Sequence, residues 1–450
     1  MPAKRISFAA ALFAALTLVF ASAAPALAAV PDNQQQLTTF DPAVDIRECA
    51  GTSVNTHPGT GKTLLAFIQP DADATYDGML VVGLLNASAA LDGSLVEVST
   101  TIPSASPDDC EVPSLAAGPD GTWLVVWSLD TSDPDAGIVG QIISNTGGLV
   151  GANFYISDDK YSNIETVSAA WSATDARYLV TWKANVDERV ADFGELNTQQ
   201  IVGQFVNGTG SLIGSNFLVT NFANGVDNNQ DLAFGSGIWI AVSSRGGSIP
   251  YGQIITAAGL QGAAFELSSD AQNYQGPGIV YNAATEQFLA TFWESSGEDT
   301  KHLRLLSSGG APIGSDTVLV ANGNRPRSGS AGAGGYVMTW HESNGEDTKI
   351  WAQAFDATLN LVGERYQVST DAMDTWRPEI ACTEGGFVFT YWGAVSGVSN
   401  IYSNLVAGDC GFALPATNRD GSLWTTGIVL LAGLTAAAGI SLGIRGARRA

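Results

Sequence analysis

Between an apolar leader and an apolar tail, the hydrophobic positions of this chain come in short runs at a regular interval, separated by residues that turn a chain. One run recurs: an aromatic or similar residue, three mostly apolar ones, then often Trp. It reads Trp123-Leu124-Val125-Val126-Trp127, Tyr178-Leu179-Val180-Thr181-Trp182, Phe288-Leu289-Ala290-Thr291-Phe292, Tyr336-Val337-Met338-Thr339-Trp340 and Phe387-Val388-Phe389-Thr390-Tyr391. Weaker copies are Thr63 to Phe67 and Trp239 to Ser243. The final positions, 67, 127, 182, 243, 292, 340 and 391, lie 60, 55, 61, 49, 48 and 51 residues apart, so the chain is built from repeats.

A small-residue strand precedes each copy, as at Pro113 to Gly118 and Pro378 to Cys382. After each of the first six come a second strand, a hairpin glycine (Gly93, Gly151, Gly214, Gly262, Gly314, Gly363) and a third strand. Glycine suits a tight turn because it has no Cβ. Each unit is thus four short strands rich in Val, Ile, Thr and aromatics. The fold class read from this is all-β: a single β-propeller of seven four-stranded blades, with a solenoid of sheets as the rival. The seventh unit, Pro378 to Cys382, Phe387 to Tyr391 and Asn400 to Val406, lacks its fourth strand. Gln36-Leu37-Thr38-Thr39 mirrors Gln367-Val368-Ser369-Thr370, so the N-terminal strand is expected to complete the last blade.

Both ends bear on location. Lys4 and Arg5, the apolar run Ile6 to Ala21 and the small residues before Ala28 have the form of a signal peptide over residues 1–28. Residues 29–410 form the propeller, 411–422 a short linker, 423–444 a transmembrane helix and 445–450 a basic cytoplasmic tail. The order Leu414-Pro415-Ala416-Thr417-Asn418, apolar span and basic tail resembles the cell-wall sorting signal of Gram-positive surface proteins, with Asn418 where that family has Gly. The resemblance implies that a sortase-type transpeptidase cleaves after Thr417 and joins it to peptidoglycan; a plain membrane anchor is the simpler alternative. The unit Gly334-Gly335-Tyr336-Val337-Met338-Thr339-Trp340, Ile350-Trp351-Ala352-Gln353-Ala354-Phe355-Asp356 and Gly363 also resembles the repeats of a group of bacterial extracellular proteins. That likeness implies fold and location.

Charge narrows the partners. With 20 basic against 44 acidic residues the net charge is −24, which excludes nucleic acid. No cofactor is expected. Acidic clusters such as Asp130 to Asp135 could hold calcium, but no calcium-loop spacing is present, and no other metal is expected. Four cysteines in an exported chain allow three pairings, of which Cys49 with Cys110 and Cys382 with Cys410 would staple the seam where the chain ends meet.

No catalytic motif stands out, and His57, His302 and His341 fall in different units. Units five and six share Glu294 to Lys301 and Glu342 to Lys349, read as a hairpin turn copied with its repeat or as a pair of cation or sugar loops. The ligand candidates are the arginines at the starts of innermost strands in neighbouring blades: Arg47, Arg325 or Arg327, and Arg377. Together they could clamp a carboxylate, sulfate or phosphate. Glu111, Glu165 and Asp227 occupy similar places in units two to four, so charge pairing across the rim is the alternative. Trp376, Trp392 and Trp351 could offer stacking faces to a sugar, with Trp376 the best placed. The leading expectation is a surface-anchored propeller that binds an extracellular glycan or protein. A glycan-active hydrolase or lyase and a structural cell-envelope component are the alternatives.

Overall fold

The computed structural model describes residues 34–40, 51–70, 78–100, 112–129, 137–157, 161–186, 198–226, 230–245, 249–268, 274–294, 300–319, 323–330, 332–343, 347–370 and 373–408. These build seven four-stranded antiparallel sheets, in six of which each strand pairs with its neighbour in sequence, while the seventh joins the first strand of the chain to the last three. The innermost strands are Thr52–Thr56, Ser114–Ala117, Tyr161–Ser172, Asp231–Gly235, Tyr274–Asn282, Asn324–Ser330 and Asp374–Thr383, one in each of blades 1 to 7. Each inner strand packs on those of adjacent blades, and the seventh packs on the first, so the ring is closed.

Radial packing explains the apolar motif. A blade is covered on both faces, so its middle strands need hydrophobic residues at every position rather than at alternate ones. In blade 2, Trp123–Ser128 and Ile138–Ile143 are buried throughout, whereas the outermost strand, Leu149–Tyr155, is largely exposed. Alternate residues serve opposite neighbours: Trp123, Val125 and Trp127 pack with Leu64 and Ala66 of blade 1. Leu124 and Val126 pack with Tyr178, Val180 and Trp182 of blade 3. Removing one such indole costs about 3–5 kcal/mol.

Closure follows the expectation from the repeat. Gln35 pairs with Ser403 and Gln36 with Tyr402, making the missing strand of blade 7, and Leu37 N–H continues to Ile401 O at 2.8 Å. The mirrored sequences make the same bonds: Gln36 Nε2 donates to Thr38 O, and Gln367 Nε2 to Ser369 O, both at 2.7 Å. Asn400 Oδ1 accepts from Phe40 N at 2.9 Å and from Thr38 Oγ1 at 3.2 Å. Leu37 and Phe40 join a core cluster with Phe67 of blade 1 and Trp392 of blade 7. The first strand therefore sits in the junction between the two blades.

The hairpin glycines work as expected, at a bulge. Gly151, Gly214, Gly262 and Gly363 have φ between 67 and 74°, and an added Cβ at any of them would meet nothing within 4 Å, so the constraint is conformational. A buried glutamine secures each bulge. Gln141 Nε2 donates to Ile142 O and Val150 O at 3.0 Å, and Gln204, Gln253 and Gln353 repeat the pattern.

Strand direction gives the ring two distinct faces. Cys382, Phe387 and Val406 lie at one end of blade 7, and the register of Gln35 points the chain before it toward that same end. Both ends of the described chain leave this tail face. The inner strand of blade 7 starts at the opposite, head face, with Asp374 opposite Ala394. Cys382 is disulfide-bonded. The signal peptide, Arg47, Cys49, Cys110, Cys410, the motif Leu414 to Asn418 and the span 423–444 lie outside the described residues. No helix among the described residues is long and apolar enough to cross a membrane.

Replacing Asn400 with Ala should lower stability by about 1–3 kcal/mol, because Phe40 N–H and Thr38 Oγ1 lose a buried acceptor. Urea unfolding checks this, and an unchanged midpoint would show that the first strand does not hold the seam.

Candidate functional site

Register defines one layer of equivalent positions around the channel. The inner-strand residue opposite the fourth position of the aromatic motif is Ser53, Ser114, Ser168, Asp231, Gly278, Arg327 and Glu379 in blades 1 to 7. The motif repeats from blade to blade, yet this layer holds three serines, a glycine, two carboxylates and a guanidinium.

Those groups tie neighbouring blades together. Ser114 Oγ accepts from Ala169 N of blade 3 at 3.1 Å. Asp231 Oδ1 accepts from Leu232 N at 2.8 Å and from Ser168 Oγ of blade 3 at 3.2 Å; its Oδ2 accepts from Ile279 N of blade 5 at 2.9 Å. Arg327 Nε donates to Glu379 Oε1 of blade 7 at 2.8 Å, with both side chains 24% exposed. Blade 5 contributes only Gly278, where an added Cβ would lie 3.6 Å from Asp231 Oδ2, and across this gap the Arg327 charge reaches Asp231. Burial pushes the Asp231 carboxyl above the ordinary carboxylate range, while Arg327 and the three hydrogen bonds pull it back. Burial disfavours the Arg327 cation, but Glu379 and Asp231 outweigh it and raise its pKa.

The arginine candidates divide. Arg327 lies in this layer with its guanidinium engaged, so charge pairing across the rim is what it does. Arg377 sits two residues ahead of the layer in blade 7, at φ 52°, in the bulge between Trp376 and Glu379. Thr166 and Gly276 occupy the same bulge in blades 3 and 5, at φ 37° and 54°. Arg325 is two residues ahead of Arg327. The head face thus holds Trp376 and Arg377 as successive residues of blade 7. Glu165 bonds Lys183 at 2.5 Å and accepts from Gln199 at 3.1 Å, a tie within blade 3. Glu111 and Asp227 lie outside the described residues.

Among the aromatics, Trp392 is 1% exposed in the core between blades 7 and 1, which removes it as a stacking face. Trp351 carries the Arg365 guanidinium 4.5 Å from its ring centroid, so that face is already taken. Trp376 is half-buried and packs edge-on to His341 at 4.9 Å. The sequence reading missed Trp293, half-buried at the head of blade 5, where a Cβ on Gly276 would approach its Nε1 to 2.9 Å. Its signal was positional: Lys183, Trp293, His341 and Trp392 each follow the last residue of the motif.

The histidines have structural partners. His57 Nδ1 accepts from Gly59 N at 3.0 Å, so its Nε2 carries the proton donated to Gly118 O of blade 2 at 2.8 Å. His302 meets Asp316 Oδ2 through Nδ1 at 2.6 Å and Thr300 Oγ1 through Nε2 at 3.3 Å; Thr300 in turn donates to Glu294 at 3.2 Å. This carboxylate–imidazole–hydroxyl order is that of a nucleophilic triad. His302 is 5% exposed, however, stacked on Phe292 and edge-on to Tyr274, so the network works as a clasp between strands. In the copied segments, Lys301 and Lys349 donate to the carbonyls of Gly323 and Met373, on the chain leading into the next blade. The two copies sit in different register: Lys301 is opposite Trp293, but Lys349 is opposite Glu342. Among the described residues no group of three or more His, Cys, Asp or Glu side chains could hold a metal ion.

Fold and layer together define a seven-bladed propeller with a polar, asymmetric channel. No protein-family model matches the chain, and no curated protein matches it. Solved structures similar to it include a Trypanosoma rangeli sialidase bound to the inhibitor DANA, at 6% identity and TM-score 0.46, covering 89% of this chain and 62% of that one. The chain therefore spans about three fifths of that sialidase. A polysaccharide lyase aligns at 9% identity and TM-score 0.48, covering 84% and 94% of the two chains. The propeller domain of the Trilobed protease from Pyrococcus furiosus aligns at 8% identity and TM-score 0.44, covering 82% and 100%.

Replacing Arg327 with Met leaves Asp231 and Glu379 without their shared cation, at a cost of about 3 kcal/mol near neutral pH. Folded Asp231 then holds its proton to higher pH than the unfolded chain does, so stability falls as pH rises through its raised pKa. Urea unfolding at about pH 5 and about pH 8 should show the larger deficit at the higher pH. A deficit independent of pH would mean that Asp231 does not feel Arg327.

Proposed function

We propose that the chain is an exported propeller, held at a bacterial cell surface by its C-terminal segment, that binds an extracellular ligand, a glycan foremost, on its head face. The proposed binding region is the channel mouth at blades 5 to 7, with Trp293, Trp376 and Arg377 as its contacts and Arg325 as a fourth candidate. The observation that carries this reading is the divergence of the inner-strand positions within an otherwise repeating molecule. The layer side chains that differ, Asp231, Arg327 and Glu379, are engaged in holding blades together. The bulge positions two residues ahead of the layer, Thr166, Gly276 and Arg377, differ as well and lie toward the head face, where a ligand arrives. Half-buried indoles beside guanidinium groups suit sugar rings that carry hydroxyl or carboxylate groups.

Strand direction supports the orientation. Both described chain ends leave the tail face, so attachment through Thr417, by a sortase-type transpeptidase acting on Leu414 to Asn418, would turn the head face away from the envelope. A ligand arriving from outside then meets the channel mouth first. Calcium binding and the pairing of Cys382 with Cys410 remain proposals of the same kind. A glycan-active hydrolase or lyase is the second reading, favoured by one observation. Asp231 and Glu379 flank Arg327 in one layer, so two carboxyl groups share the channel.

A glycan and protein array probed with residues 29–410 identifies the ligand, and Trp376→Ala and Arg377→Ala should each weaken the leading hit at least tenfold. Binding that both variants leave unchanged would place the site elsewhere. Recovery of the glycan intact after prolonged incubation separates binding from cleavage.

A further inference from the structure

A second site lies on the perimeter between blades 3 and 4, and comparison of equivalent positions exposes it. In blades 2 and 3 the residue two places after the bulge glycine is asparagine, and it performs one task. Asn153 Nδ2 donates to Gln141 Oε1 at 2.7 Å and to Val98 O of blade 1 at 2.9 Å. Asn216 Nδ2 donates to Gln204 Oε1 at 2.5 Å and to Ile156 O of blade 2 at 3.2 Å. One amide NH2 group thus uses both hydrogens to bridge the bulge glutamine of its own blade and a carbonyl of the blade before.

Blade 4 keeps every part of this arrangement except the amide. Its glutamine, Gln253, holds the bulge as its counterparts do, with Nε2 on Ile254 O at 2.9 Å and on Gln261 O and Gly262 O at 3.4 Å. Its Oε1 is therefore turned as in blades 2 and 3. Val219 is the counterpart of Val98 and Ile156: the N–H of each bonds the third strand of its own blade, at 2.8, 2.8 and 2.7 Å respectively. The residue two places after Gly262 is Ala264, followed by Phe265 as Asn153 is by Phe154 and Asn216 by Phe217. Among the described residues no hydrogen bond reaches Gln253 Oε1 or Val219 O. The vacated space opens into a cleft of about 400 Å³ lined by Ala264, Gln253, Val219, Leu218, Phe222 and Leu260, among others.

We infer that this cleft is a binding site for a small neutral ligand that carries a primary carboxamide on an apolar group. The two acceptors are set, in blades 2 and 3, at the span of one NH2 group, so a ligand amide replaces the missing asparagine side chain. Leu218, Phe222 and Leu260 supply apolar walls, and Leu260 is 48% exposed at the mouth. An ammonium ion has the hydrogens but would lose its hydration to two uncharged acceptors, which favours the neutral amide. A carboxylate or ester has no hydrogen to give. The site is on the perimeter, apart from the channel mouth, and does not depend on the function proposed there.

Saturation-transfer NMR on the whole chain tests it, with benzamide as the probe and methyl benzoate as a control of similar shape lacking donor hydrogens. Benzamide should bind saturably below about 10 mM and at least tenfold more tightly than methyl benzoate. Ala264→Asn, which rebuilds the bridge seen in blades 2 and 3, should abolish benzamide binding while leaving thermal stability equal or higher. Equal binding of the two probes, or no benzamide binding at that concentration, would overturn the proposal. So would undiminished benzamide binding by a folded Ala264→Asn chain; stabilisation of that variant without benzamide binding to the wild type would show that the gap holds only water. The comparison of probes on the wild type decides the matter even if the variant folds poorly.

Discussion

A sheet covered on both faces cannot exist alone, and this requirement governs the molecule. Each blade has two apolar faces and needs a neighbour on either side, so the chain is satisfied only when the seventh blade meets the first. The final blade has three strands of its own, and the fourth comes from the other end of the sequence. Its ladder is short, Gln35 and Gln36 against Tyr402 and Ser403, but Asn400 and the packing of Leu37 and Phe40 against Phe67 and Trp392 extend the grip. Closure therefore rests on one short segment whose side chains serve two blades at once.

Repetition also sorts the side chains by purpose. Aromatic motif residues, bulge glycines and bulge glutamines recur because each blade presents the same packing and hydrogen-bonding problem. Two sets of positions break the pattern. One is the inner-strand layer with Asp231, Arg327 and Glu379, along with the bulge positions just ahead of it. The other is the position after the hairpin, where asparagine gives way to Ala264 in blade 4, Asp316 in blade 5 and Arg365 in blade 6. Asp316 and Arg365 find local partners in His302 and Glu342, whereas Ala264 leaves acceptors behind.

Whatever a single strand must satisfy was legible in the sequence. The aromatic run states its own burial, Gly151 and Gly214 state their turns, and the likeness of Gln36-Leu37-Thr38 to Gln367-Val368-Ser369 disclosed the closing strand, because the same backbone bonds require the same side chains. What depends on register between strands was hidden. Arg327 and Glu379 are 52 residues apart, and only the alignment of adjacent inner strands brings them to 2.8 Å. Trp392 resembles Trp376 in the sequence and pairs with it across the strands, yet it lies on a middle strand and is buried, while Trp376, on the inner strand, is only half-buried. The copies ending at Lys301 and Lys349 look interchangeable but differ in register, so sequence likeness overstated their structural equivalence.

The central claim is that the chain's first strand closes the ring, and hydrogen exchange measures it directly. The amides of Leu37 and Phe40 donate to Ile401 O and Asn400 Oδ1, so the peptide covering residues 34–40 should be protected to an extent comparable with the last strand of blade 7, Val398–Val406. Exchange of that peptide at the rate of an exposed tail, with residues 398–406 still protected, would contradict the account.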